Sequence, residues 1–124
     1  MEVGETLRVE SLEEWRRWLS ENGASKREVW LVNDKKGPAK RTIDYDAALD
    51  EATCVGWVDG LIKGLDDHRY LMRWTPRRRG GSWTPGNRER ARRLAAEGRM
   101  TAAGLAVVPA ELRAELEGQS ARLA

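Results

Sequence analysis

The sequence has no phenylalanine, a single histidine and a single cysteine. With Cys54 alone, no intramolecular disulfide forms and no cysteine-based zinc cluster assembles. No apolar run approaches the ~20 residues that span a bilayer, and charged side chains make up 34% of the chain, so membrane insertion is not expected. Residues 1–10 hold three glutamates and lack both the basic and the apolar segment of an export signal, which places the expected location in the cytoplasm. Neither a phosphate-binding glycine signature nor a serine elbow occurs, so two common routes to catalysis have no material here.

Against these absences stand six tryptophans and an uneven charge. Each indole carries an N–H that needs a partner when buried, so a tryptophan-rich chain this short is expected to use some of them for more than core filling. The net charge of +2 averages a sharp split: residues 69–99 hold ten arginines against Glu89 and Glu97, whereas residues 1–68 carry an excess of acid. A positive field concentrated in one segment argues for an anionic partner.

A chain of 124 residues suits one domain, with its core expected at about 7–108 and a polar C-terminal tail beyond. Ser11 and Glu14 have capping-box spacing, and Leu12, Trp15, Trp18 and Leu19 recur at helical intervals up to Asn22-Gly23. A β-rich run at 28–32 reads as a strand, and Lys35, Lys36, Gly37 and Pro38 as its loop. Asp44 is a candidate N-cap for a second helix in which Tyr45, Ala48, Leu49 and Ala52 form the apolar stripe, while Asp46, Asp50 and Glu51 face water. Gly56 stops it. A hairpin follows, with strands at 57–64 and 69–75 around Asp66-Asp67; the alternative turn at Asp59-Gly60 leaves almost no first strand. Thr84 with Pro85 starts a helix that Gly98 closes, Thr101 starts a short one, and Pro109 opens a last one that frays. The fold class is therefore α+β: a small antiparallel sheet with a central hairpin, packed against several short helices.

The loop at 77–82 brings arginines and glycine amides next to a helix N-terminus at Thr84, an arrangement suited to holding anions. Arg73, Arg77 and Arg78 are the candidate clamp, and Trp57, Trp74 or Trp83 the candidate stacking surfaces; the plainer reading is a solvated basic loop with the indoles in the core. Asp59, opposite Trp74 in the expected register, either orients an arginine such as Arg73 or, if the protein is an enzyme, serves as its base. His68 beside Asp66 and Asp67 reads as an exposed turn residue rather than a metal ligand or a partner of Cys54. No metal or cofactor is expected. Trp15 and Trp18 are core, and Trp30 and Arg27 suit a dimer face as well as the core, leaving monomer and homodimer open.

Four motifs stand in order: CVGWVDG at 54–60, RWTPRR at 73–78, SWTPGN at 82–87 and EGRMT at 97–101. They resemble the YdeI/OmpD-associated family, also called bacteriocin-protection proteins, over residues 12–107. The resemblance implies a role in tolerance of cationic antimicrobial peptides without an established reaction. Its shared positions fall on Gly56, Trp57, Asp59, Gly60, Tyr70, Arg73, Thr75, Pro76, Arg77, Arg78, Trp83, Asn87, Gly98, Met100 and Gly104, which adds Thr75 and Asn87 to the candidate ligand contacts. Trp74 stands where the family has phenylalanine.

Three functions compete on this reading. The first is a non-enzymatic domain that binds a small anion. The second is single-stranded nucleic-acid binding through the interleaved arginines and aromatics and the basic helix at 88–93. The third is an enzyme for a small phosphorylated or carboxylated substrate, with Asp59 as base.

Overall fold

The computed structural model describes residues 2–35 and 43–123, with side chains through 118. The loop expected at Lys35, Lys36, Gly37 and Pro38 therefore lies, beyond Lys35, outside the described residues. In chain order the elements are β1 (Thr6–Leu7), α1 (Leu12–Asn22), β2 (Val29–Asp34), α2 (Tyr45–Cys54), β3 (Trp57–Gly64), β4 (Arg69–Pro76), α3 (Pro85–Ala96), α4 (Ala102–Val107) and α5 (Ala110–Leu123). The fold is α+β, as composition and pattern imply.

Helix starts lie where the capping residues put them. Ser11, Asp44, Thr84 and Thr101 each accept a backbone N–H three residues on, from Glu14, Ala47, Asn87 and Gly104 respectively. The hairpin turns at Asp66-Asp67, where the Asp66 carboxylate accepts from the amides of His68 and Arg69 at 2.8 Å each. Asp59-Gly60 is instead the site of a register shift between β3 and β4, so its turn-forming chemistry is expressed as a bulge.

The sheet order is β1-β2-β4-β3. β4 pairs antiparallel with both neighbours, whereas β1 pairs with β2 in parallel, so the sheet is mixed rather than wholly antiparallel. The cause is α1, which carries the chain back between the two strands, as a parallel connection requires. At two residues, β1 is too short to show a sequence periodicity.

One face of the sheet is covered by α1 and α2. Trp15, Leu19, Ala48, Leu49 and Ala52 pack on Val29, Leu31, Trp57, Met72 and Trp74. Three indole contacts organise this core: Trp15 stacks on Trp18 at 5.7 Å, meets Trp74 at 5.4 Å, and Trp18 meets Trp57 edge-on at 5.6 Å. Trp30 points to the opposite face and is 1% exposed, with its indole N–H donated to Glu28, so it offers no contact surface.

A second core lies among α3, α4 and α5, where Trp83, Ala91, Ala95, Val108, Leu112 and Leu116 enclose one another. This corrects the expectation of a polar tail after Pro109. Leu112 and Leu116, spaced four apart, share one face of α5, and Val108 in the link before that helix packs with them, while the charged residues between the two leucines face outward.

Candidate functional site

The junction from β4 to α3 is fixed by close backbone approach. The Arg77 amide donates to the Gly56 carbonyl at 2.8 Å, one step beyond the β3–β4 ladder. Gly56 has φ +83°, and a Cβ there would come within 2.9 Å of the Ala103 carbonyl oxygen, so both conformation and space call for glycine. Arg77 then folds its guanidinium over Trp83, 4.0 Å from the ring centroid.

Arg77 is half-buried, and its Nε and Nη2 are enclosed without a hydrogen-bond acceptor among the described residues. Burial pushes the guanidinium below its ordinary value, an effect the nearby Asp59 charge opposes. Asp59 does not pair with Arg77 directly. Its Oδ2 accepts the Tyr45 hydroxyl at 3.0 Å. Burial first, and then this bond to Asp59, push the Tyr45 phenol up to about 12.

Arg73 donates its Nε to Glu28 Oε1 at 2.7 Å across the sheet, so Asp59 does not orient it. Trp57 and Trp74 are each 1% exposed and provide no stacking surface. Trp57 donates to the Gly23 carbonyl at 3.0 Å, while Trp74 Nε1 is buried without a partner among the described residues. Trp83, 6% exposed, has one face on Arg77 and packs in the second core, so it supports the guanidinium rather than a ligand. Thr75 is half-buried opposite Val58, on the sheet face away from Asp59 and Trp74. Asn87 is half-buried in the first turn of α3, where its amide bonds Thr84 Oγ1. Arg78 is exposed at the loop.

The basic helix is neutralised within the fold. Arg88 pairs with Glu111 at 3.0 Å, and Arg92 with Glu115 at 2.7 Å and with Glu89. Arg90 pairs with Asp46 and Asp50, and Arg93 with Asp50 at 2.6 Å and with Glu97. These four arginines therefore face α2 and α5 carboxylates rather than presenting a bare positive surface for phosphates. Asp46, which faces water as expected, and Asp50, which is largely covered against that expectation, are the α2 half of this network.

A charged cluster that pattern reading missed lies at the far end of α2. Glu51, also expected in water, is 5% exposed and accepts from two arginines. Arg16 reaches it through Nε at 2.5 Å and Nη2 at 3.0 Å, and Arg99 through Nη2 at 2.7 Å. Its one sequence signal is position: Glu51 falls three residues after Ala48, at the edge of the buried stripe. Neither arginine is near it in sequence.

His68 sits exposed at the hairpin turn and Cys54 ends α2. The eight residues of β3 between them span roughly 25 Å, too far for the two to act together. Among the described residues no group of three His, Cys, Asp or Glu side chains is placed to hold a metal ion. Nor is any helix among them long and apolar enough to cross a membrane.

Over residues 7–107 the chain matches the model of a family described as a domain of unknown function, DUF8412. No curated protein and no solved structure matches it.

Proposed function

The chain belongs to this DUF8412 family, and from the geometry of its β4–α3 junction we propose that it is a non-enzymatic binding domain that holds a small anion at Arg77. One observation carries the reading. Arg77 is a half-buried guanidinium with two enclosed, unpartnered nitrogens in a chain whose arginines are otherwise widely ion-paired. A charge withdrawn from water without an opposite charge in hydrogen-bond contact is costly. An anionic oxygen at the β4–α3 loop supplies that missing charge through Nη1, which is not among the enclosed nitrogens, and the exposed Arg78 beside it adds a second cation. Trp83 holds the Arg77 plane from below, and the Asp59–Tyr45 pair sets the field around it.

The ligand class that suits this arrangement is a phosphorylated metabolite or an anionic head group. The motifs that resemble the YdeI/OmpD-associated family add a role in protection against antimicrobial peptides, exercised in the cytoplasm. Single-stranded nucleic acid is the weaker reading, because the arginines of α3 are occupied by carboxylates.

A thermal-shift screen with inorganic phosphate, sugar phosphates, nucleotides and a short oligonucleotide at two salt concentrations tests this. A small anion present at a hundredfold excess over its Kd stabilises the protein by about 2.7 kcal/mol, and Arg77→Ala abolishes the gain. A shift with oligonucleotide alone, lost as salt rises, transfers the function to nucleic acid. An undiminished phosphate response in Arg77→Ala rejects the site.

A further inference from the structure

Along β2, Val29, Leu31 and Asn33 share the sheet face that the helices cover, and the third is an amide in a row that is otherwise hydrocarbon. Asn33 is 7% exposed. Its Nδ2 donates to the Leu31 carbonyl at 3.2 Å, which fixes the amide plane and leaves Oδ1 without a donor among the described residues. Oδ1 is not one of the enclosed unpartnered atoms, so it opens on the space beside it. That space is a cavity of about 180 Å³ between the sheet and the first turn of α2. From the sheet it is lined by Leu31, Met72 and Trp74, and by Asn33 and Tyr70, which stand opposite one another in the β2–β4 register. Asp44, Tyr45 and Ala48 line it from α2.

We infer that this cavity binds an alkylated ammonium head group that keeps one N–H. Its volume is below the roughly 300–1,000 Å³ of pockets that enclose a drug-sized molecule, so it admits a head group rather than a whole ligand. Among the described residues Asp44 is the one charged side chain that lines it. One Asp44 carboxylate oxygen accepts the Ala47 amide and caps α2, and the other has no donor among the described residues. Asp59 accepts the Tyr45 hydroxyl and so places a second negative charge at the far end of that ring. Of the other charges felt at Tyr45, Asp46 is negative and Arg90 positive, and Arg90 is paired with Asp46 and Asp50. The field therefore selects a cation over an anion. The phenol rings of Tyr45 and Tyr70 supply the aromatic surface to which an organic cation is drawn, and Leu31, Ala48 and Met72 supply contacts for its methyl groups. Asn33 Oδ1 accepts the single N–H. A bare ammonium would bring three N–H groups to walls that are mostly hydrocarbon, and leaving donors unpaired there is costly.

Nuclear magnetic resonance reads the site directly. Trimethylammonium chloride, titrated into the isotope-labelled full chain, shifts the Asn33 side-chain amide resonances saturably and leaves the Trp83 indole N–H, which lies at Arg77, in place. Tetramethylammonium, which has no N–H, and tert-butanol, which has the methyl groups without the charge, bind at least about tenfold more weakly, the loss expected for a charge-assisted hydrogen bond. Asp44→Asn keeps a side chain that caps α2, so the thermal midpoint is retained while trimethylammonium binding weakens at least about fivefold. Asn33→Leu removes the buried acceptor and weakens it about tenfold. A peptide carrying Nε-dimethyl-lysine that binds more tightly than trimethylammonium identifies a modified protein as the source of the head group, and one that binds no better identifies a free amine. Absence of saturable shifts in the wild-type protein overturns the inference, as does binding that tetramethylammonium or tert-butanol matches or that Asp44→Asn leaves undiminished. The phosphate screen at Arg77 is read separately, so either site stands or falls alone.

Discussion

Within the basic stretch 69–99, the end of β4 and the body of α3 use arginine in opposite ways. On α3, four arginines lie against six carboxylates: Asp46, Asp50, Glu89, Glu97, Glu111 and Glu115. Their charge holds α3 to α2 on one side and to α5 on the other. Arg77, ten or so residues earlier, is partly withdrawn from water, supported by an indole and left without a carboxylate in contact among the described residues. A cation that completes a network serves stability, and one that lacks a counterion costs stability until something binds. The difference separates the structural part of the positive segment from the part available to a ligand.

The sharpest way to break the comparison is to remove what α3 is held against. Truncation after Val108 deletes Leu112 and Leu116, both at most 1% exposed, together with Glu111 and Glu115. Two buried leucines are worth about 5 kcal/mol or more, comparable to the whole stability of a small domain. The truncated chain is expected to lose cooperative unfolding by circular dichroism; a normal melt would show that the second core is dispensable.

Asp50→Ala tests the α3 side directly. It leaves Arg90 and Arg93 without their shared partner, and Arg90 held by the Asp46 carbonyl and carboxylate alone. A loss of about 2 kcal/mol in urea unfolding is expected, below the cost of breaking a fully buried pair because Arg93 is half exposed. Arg77→Leu is predicted to go the other way. Replacing an unpaired guanidinium with an apolar side chain stabilises the ligand-free protein by about 1 kcal/mol while removing anion binding. Destabilisation by Arg77→Leu would place Arg77 with the structural arginines.

The smallest effect is the acid dependence. Burial raises the Asp50 carboxyl, but hydrogen bonds from Arg93 and Arg90 outweigh it and hold the group below its ordinary value. With the folded value depressed, the stability Asp50 contributes is present above its unfolded value, about 4, and is lost as pH falls through the lower folded value. Urea midpoints should therefore fall below about pH 4, less steeply in Asp50→Asn than in the wild type. Equal slopes would remove Asp50 from the acid response.

Much of the local structure was legible because it depends on neighbouring residues. The caps at Ser11, Asp44, Thr84 and Thr101 bind amides three residues away, and the Asp66 turn closes on its own chain. The candidate site was legible in part. Asp59 lies opposite Trp74 in the expected register, whereas Trp83, expected as a stacking surface for a ligand, lies against Arg77. Arg73, Trp57 and Trp74 did not join them. Alternation along a strand tells which residues share a face, but not which face the helices cover, and the one holding Trp57 and Trp74 is closed by α1 and α2.

The sequence by itself determined the α+β class, the helix starts, the hairpin and its turn, because these rest on spacing and on bonds between near neighbours. Only the tertiary structure decided which charges remain for function. Glu28 and Arg73 lie 45 residues apart, Glu51 and Arg99 lie 48 apart, and Asp50 and Arg93 lie 43 apart. Whether a guanidinium is neutralised depends on which carboxylates the fold carries to within about 3 Å, a distance that a linear count of charges does not contain.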